Sequence, residues 1–186
     1  METNSQKHRL EEAIAILCKR VEALAPGSRT GVCIASSDGA MLQKAVFPNF
    51  PSSFQSAIRE IPMGPPYFGK CTAAMDGHRI ITTEDFETES RFDSRFIAHC
   101  LGHSIRSLQS RPVYGEDGRP LGTFVMGFSE PRTARDFDEA LMLFAATRSV
   151  VSFRRLRAAR SRDRRPARSW PMSIQAPNAA EVRCVE

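Results

Sequence analysis

The sequence predicts one α+β domain, and three observations carry that reading. Amphipathic helical stripes stand near both ends of the ordered region. Strand-like segments between them come in pairs joined by short turns, and the connections between the last strands are antiparallel rather than βαβ crossovers. The chain has 186 residues, 41% of them hydrophobic and 25% charged, which is enough to build one core and leaves a single domain as the default.

The first stripe runs from Lys7 to Ala25, where Leu10, Ile14, Leu17, Val21 and Leu24 recur every three or four residues. Pro26 and Gly27 stop it, because proline cannot continue the hydrogen-bond ladder and glycine tolerates the turn. Residues 30–36 and 41–47 read as a hairpin across Ser37-Asp38-Gly39. A short helix is predicted over 52–58, followed by an irregular loop at Ile61-Pro62-Met63-Gly64-Pro65-Pro66. Small residues from Tyr67 to Asp76 predict a helix packed closely on a sheet and ended by Gly77. A strand over 79–83 leads through an acidic stretch to a helix over 91–101, with Phe92, Phe96, Ile97 and Cys100 on one face. Strands over 104–114 and 121–129 flank the turn 115–120. The last helix, from Asp136 to about Leu156, is expected to bury Phe137, Leu141, Phe144 and Val151 with the flanking Ala140 and Val150. The resulting organisation is a leading helix over residues 1–27, a core with its C-terminal helix over 28–158, and a basic, disordered tail over 159–186.

Charge separates body from tail. The net charge is +5, of which residues 154–186 carry +6 and residues 1–153 carry −1, which argues against a basic nucleic-acid groove in the folded part. Weak contact of the tail with a polyanion is the remaining role for that charge. No apolar run is long enough for a membrane span, the start lacks a signal-peptide core, and the five cysteines are scattered without a CxxC pair. A cytoplasmic location with reduced thiols is the expectation.

Four stretches in this order resemble the GAF domain family. They are Phe68-Gly69-Lys70-Cys71-Thr72-Ala73-Ala74, Ile81-Thr82-Thr83-Glu84-Asp85, the strand from His103 to Val113 with its Ile-Arg-Ser and Ser-Arg-Pro-Val pieces, and Asp117-Gly118-Arg119-Pro120-Leu121-Gly122-Thr123-Phe124. The likeness covers about Leu10 to Arg157. Two positions depart from it: Ser104 stands where many relatives carry glycine, and Gln109 where an aromatic is common. The resemblance implies a central antiparallel sheet with the terminal helices on one face and short helices covering a ligand pocket on the other. It further implies a stand-alone sensory or regulatory protein, a homodimer, and a separate signalling or transcription partner.

The ligand-lining residues expected from this are Phe68, Cys71, Thr72, Phe92, Phe96, His99 and Gln109. No cofactor and no catalytic residue is predicted. Two other chemistries remain open. Cys71 near a helix start, where the dipole favours a thiolate, and Cys100 resemble the cysteines of the GAF branch that reduces free methionine sulfoxide, although Ser107 and Leu108 occupy the region where that branch carries a carboxylate. His99 and His103, four residues apart on a helix face, can in principle hold haem or a metal ion. No phosphate-binding loop, HExxH or GxSxG motif is present, which argues against nucleotide turnover and hydrolysis.

Overall fold

A computed structural model describes residues 2–58 and 60–161. Six strands form one wholly antiparallel sheet: β1 (Ser28–Ala35), β2 (Met41–Val46), β3 (Ile61–Pro62), β4 (Ile81–Thr83), β5 (Ser107–Tyr114) and β6 (Pro120–Phe128). Their spatial order is β3-β2-β1-β6-β5-β4, so the first and last long strands lie side by side at the centre. The helices are α1 (Glu2–Leu24), α2 (Ser52–Ser56), α3 (Lys70–Asp76), α4 (Ser94–Gly102) and α5 (Glu139–Ser161). The α+β class and the antiparallel sheet are as the sequence predicts.

The central strands alternate between two cores, because successive side chains in a strand point to opposite faces. On β1, Val32 and Ile34 face the terminal helices while Cys33 and Ala35 face the short ones; on β6, Phe124 and Met126 face one side and Val125 the other. Ile14, Cys18 and Val21 of α1 and Leu141, Met142, Ala145, Ala146 and Phe153 of α5 complete the first core. Phe54 of α2, Cys71 and Met75 of α3, and Phe96 and Cys100 of α4 complete the second, with Phe47, Phe50 and Phe86 from the connecting segments. The two helical layers therefore pack on opposite faces of the same two strands.

Several elements differ in extent from the sequence reading. Ile61 and Pro62 are not loop but a two-residue edge strand paired with Met41 and Leu42 of β2, a site where proline's missing N–H is tolerated. The helix expected from Tyr67 begins only at Lys70, because Gly69 is extended and caps it. The helix expected from Arg91 begins at Ser94, where the Asp93 carboxylate accepts the Arg95 N–H at 2.8 Å. Asp136 belongs to a separate 3-10 turn, boxed with Thr133, and α5 starts after Asp138, whose carboxylate accepts the Leu141 N–H at 2.8 Å. Phe144 and Ala140 do not join the core: Phe144 is 54% exposed and Ala140 is exposed too, because the buried stripe of α5 runs through 141, 142, 145, 146, 149 and 153. The side chains of Leu10 and Val151 lie outside the described residues, as does the tail from residue 162 onward; residues 159–161, assigned to the tail, continue α5.

The four stretches that carry the resemblance meet in space. Arg106 makes a two-pronged ion pair with Asp85, at 3.0 and 2.8 Å, and the Phe86 N–H donates to the Arg106 carbonyl. Gly122 on β6 passes so close to β1 that a Cβ there would sit 2.1 Å from the Cys33 carbonyl oxygen, which explains why only glycine fits the Leu-Gly-Thr-Phe hairpin. Ser104, the departure from glycine, holds a left-handed backbone with φ of 56°, a conformation glycine adopts more readily. No helix among the described residues is long and apolar enough to cross a membrane.

Candidate functional site

Gly69 brings α3 onto α4. A Cβ at that position would lie 2.9 Å from the Phe96 ring, so the glycine lets the start of α3 sit directly under this aromatic. The next residue, Lys70, is then driven into the interior and is wholly buried. Its ammonium donates to the Leu108 carbonyl of β5 and lies 4.8 Å from the centre of the Phe86 ring. Burial pushes the Lys70 pKa well below its ordinary value, against the opposing pull of Cys100 and Glu89.

Cys71 follows on the face that meets the sheet. Its Sγ accepts from the Cys33 thiol of β1 at 3.3 Å and lies 3.4 Å from the Ser110 hydroxyl of β5. The Cys33 thiol donating to it brings the Cys71 pKa down to about 7, helped by Ser110 and the nearby Lys70 and opposed by burial. The same contact, together with burial, pushes Cys33 the other way. Cys100, beneath α4, is raised to about 12 by burial. The four sulfur and nitrogen groups thus differ widely in proton affinity within one buried corner of the molecule.

This corner is nearly closed. The void under the short helices holds only about 10 Å³ and is lined by Leu42, Ile58, Ile61, Phe68, Gly69, Cys71, Thr72 and Phe96. Phe68 and Ile61 also line an external groove of about 630 Å³ that runs between residues 60–68 and residues 91–95. Phe68 packs edge-on against Phe96 at 5.6 Å, and Phe96 in turn meets Phe86 at 5.9 Å and Phe92 at 6.4 Å. Arg91, Asp93 and Arg95 rim the groove. Arg91 is held by Glu89, whose carboxyl resists ionisation through burial but is overruled by Arg91 and Thr83 and falls to about 2.

Phe68, Cys71, Thr72, Phe92 and Phe96 are therefore brought together at the void or its mouth. Thr72 spends its hydroxyl on the Gly69 carbonyl at 2.9 Å, closing its own helical turn. His99 lies to one side: its ring stacks on Phe54 at 4.7 Å, and its Nε2 donates to the Phe54 carbonyl at 3.2 Å. His103 donates from Nδ1 to the His99 carbonyl at 2.8 Å and approaches Ser53, so the two imidazoles fasten α2 to α4. Among the described residues no three His, Cys, Asp or Glu side chains converge as a metal centre requires. Gln109 is on the other face of the sheet. Leu108 and Ser110 point to the short helices, so strand alternation turns Gln109 away, where its amide donates to Thr82 at 3.2 Å. Lys70 and Cys33 were not read from the sequence: a lysine opening a helix looks like surface, and Cys33 sits in an apolar strand with no local signal.

Solved structures share this fold. The GAF domain region of a Geobacter sulfurreducens protein superposes with a TM-score of 0.62 at 10% identity, over 85% of this chain and 99% of that one. The fold is that of a GAF domain. A domain assigned to a two-component sensor histidine kinase of Sinorhizobium meliloti matches the same GAF fold with a TM-score of 0.58 at 18% identity, over 83% of this chain and 97% of the other. A type II free methionine-R-sulfoxide reductase from Thermoplasma acidophilum matches it with a TM-score of 0.57 at 15% identity, over 82% and 95% of the two chains. No protein-family model matches the sequence, and no curated protein matches it.

Proposed function

We propose that this chain is a regulatory GAF module that takes a small molecule at the Phe68–Phe96 mouth, beneath α3 and α4, and reports its presence through α1 and α5. The observation that carries the reading is the layered arrangement. A buried polar corner, Lys70 with Cys71 and Ser110, lies against one face of β1, β5 and β6, and the terminal helices pack on the other face of the same strands. A ligand that entered through the adjoining groove would move Phe68 and α3, and any shift of the strands beneath would reach the packing of α1 and α5. The terminal helices keep Ile16, Leu143 and Phe144 more than half exposed, which suits them to receive a second copy of the chain or a signalling partner. The sensor kinase and GAF neighbours add support from fold alone.

Native mass spectrometry of the freshly purified protein tests this reading. The expected result is a dimer that releases a small molecule on collisional activation, with the molecule lost in Phe68→Ala. A monomer without bound ligand at every concentration contradicts it.

A second reading rests on the lowered Cys71 thiol together with the likeness to the Thermoplasma acidophilum reductase: Cys71 and Cys100 would reduce a sulfoxide. Turnover of free methionine sulfoxide with a dithiol reductant, abolished in Cys71→Ser and in Cys100→Ser, is its signature; absence of turnover removes it.

A further inference from the structure

We propose that Cys33 and Cys71 form a peroxide-responsive dithiol that closes to an intramolecular disulfide between β1 and α3. The two sulfurs are 3.3 Å apart although their residues are 38 positions apart in the chain. They approach because the Lys70 side chain holds the start of α3 against β5, and Gly69 lets that start close on Phe96 of α4, so that Cys71 meets Cys33 on the neighbouring strand β1. Both are free thiols in a reducing state, and a short closure of the gap brings them to bonding distance.

The two sulfurs have different roles. Cys71 is the one a peroxide meets, since it borders the void whose Phe68 and Ile61 also line the external groove, whereas Cys33 is fully enclosed. Cys71 is also the better nucleophile of the pair: it accepts the Cys33 hydrogen bond, has the Ser110 hydroxyl beside it, and stands next to the Lys70 ammonium, all of which favour its thiolate. In the first step the Cys71 thiolate attacks one oxygen of hydrogen peroxide; the O–O bond breaks, and the departing hydroxide leaves as water after taking a proton, giving a sulfenic acid on Cys71. In the second, the Cys33 sulfur attacks the Cys71 sulfur; the S–S bond forms, the S–O bond breaks, and the hydroxyl leaves as water with the Cys33 proton. Two thiols have lost two electrons, and one peroxide has been reduced to two waters.

The product ties α3 covalently to the centre of the sheet. Because α3 supplies Gly69, Lys70, Cys71 and Thr72 to the buried corner, the disulfide holds that corner in its closed form, and a dithiol reductant releases it.

The test is mass spectrometry of the full chain after brief treatment with hydrogen peroxide, followed by denaturation and iodoacetamide labelling. The chain has five cysteines, so the reduced protein takes five labels. Oxidised protein is expected to take three, with one linked peptide pair joining Cys33 to Cys71, and to recover all five labels after dithiothreitol. Cys100→Ser is expected to keep the link. Cys33→Ser, or Cys33→Ala if the serine variant unfolds, is expected to leave a sulfenic acid on Cys71 that dimedone traps. Five labels after peroxide, a link from Cys71 to Cys100 or to another copy, or loss of labelling that dithiothreitol does not reverse, each overturns the proposal; the peptide map of the unmutated chain decides it without any variant.

Discussion

Cys71 is the residue whose chemistry depends most on neighbours that are distant in sequence. Its thiol is expected to titrate at about 7, so its alkylation rate rises with pH through that value, and Ser110→Ala moves the midpoint upward by removing one hydrogen-bonding partner of the thiolate. A pH series of labelling rates measures both. Gly69 depends on its neighbours sterically. Gly69→Ala places a methyl 2.9 Å from the Phe96 ring and is expected to cost about 1–3 kcal/mol in urea unfolding, the range for overpacked cores. These residues were legible to different degrees. Phe68, Cys71 and Phe96 lie in stretches whose composition already marks a tight helix start and an aromatic face. Lys70 was invisible because its burial follows from how closely α3 approaches the sheet, and Cys33 because its partner is supplied by another element. Gln109 is expected at the pocket only through the resemblance, and the strand's period of two, with Leu108 and Ser110 on the pocket side, turns it to the other face.

At the scale of elements, long periodic segments were read well and short ones less well. Ile14, Leu17 and Val21 of the α1 stripe and the central strands stand where their patterns put them, because each buries one face over many residues, whereas Leu24 at the end of α1 is 70% exposed. The starts of α3, α4 and α5 each lie three residues later than their patterns suggest, since single caps decide them: Gly69, Asp93 and Asp138. Phe144 was assigned to the core because apolar spacing fits more than one stripe when a helix is apolar on two sides. That second side, with Leu143, is the surface assigned above to a partner. The cap of α5 offers a direct check at this scale. Asp138→Ala frees the Leu141 N–H and is expected to lower stability by about 0.5–2 kcal/mol, without altering Cys71 labelling on the opposite face of the sheet. Urea denaturation and the labelling series together separate those effects.

For the whole molecule, acid stability reports on the acidic connection between β4 and α4. Glu89 titrates at about 2 in the folded protein against an ordinary 4.5, so its ion pair with Arg91 and its bond to Thr83 contribute fully above 4.5 and are lost as pH falls toward 2. Asp85, held low by Arg106, acts in the same direction. The urea midpoint is therefore expected to drop across this window, and the drop is expected to be shallower in Glu89→Gln. The end of this connection, Arg91 to Asp93, lines the groove. The proposed coupling of the buried corner beneath the short helices to the terminal helices is open to hydrogen–deuterium exchange on the full chain, with and without the dialysable small-molecule fraction of a bacterial cell extract. Slowed exchange in residues 61–76 and 94–103 accompanied by altered exchange in α1 and α5 is expected. Unchanged exchange throughout, or protection around α3 and α4 that leaves α1 and α5 unaffected, contradicts it.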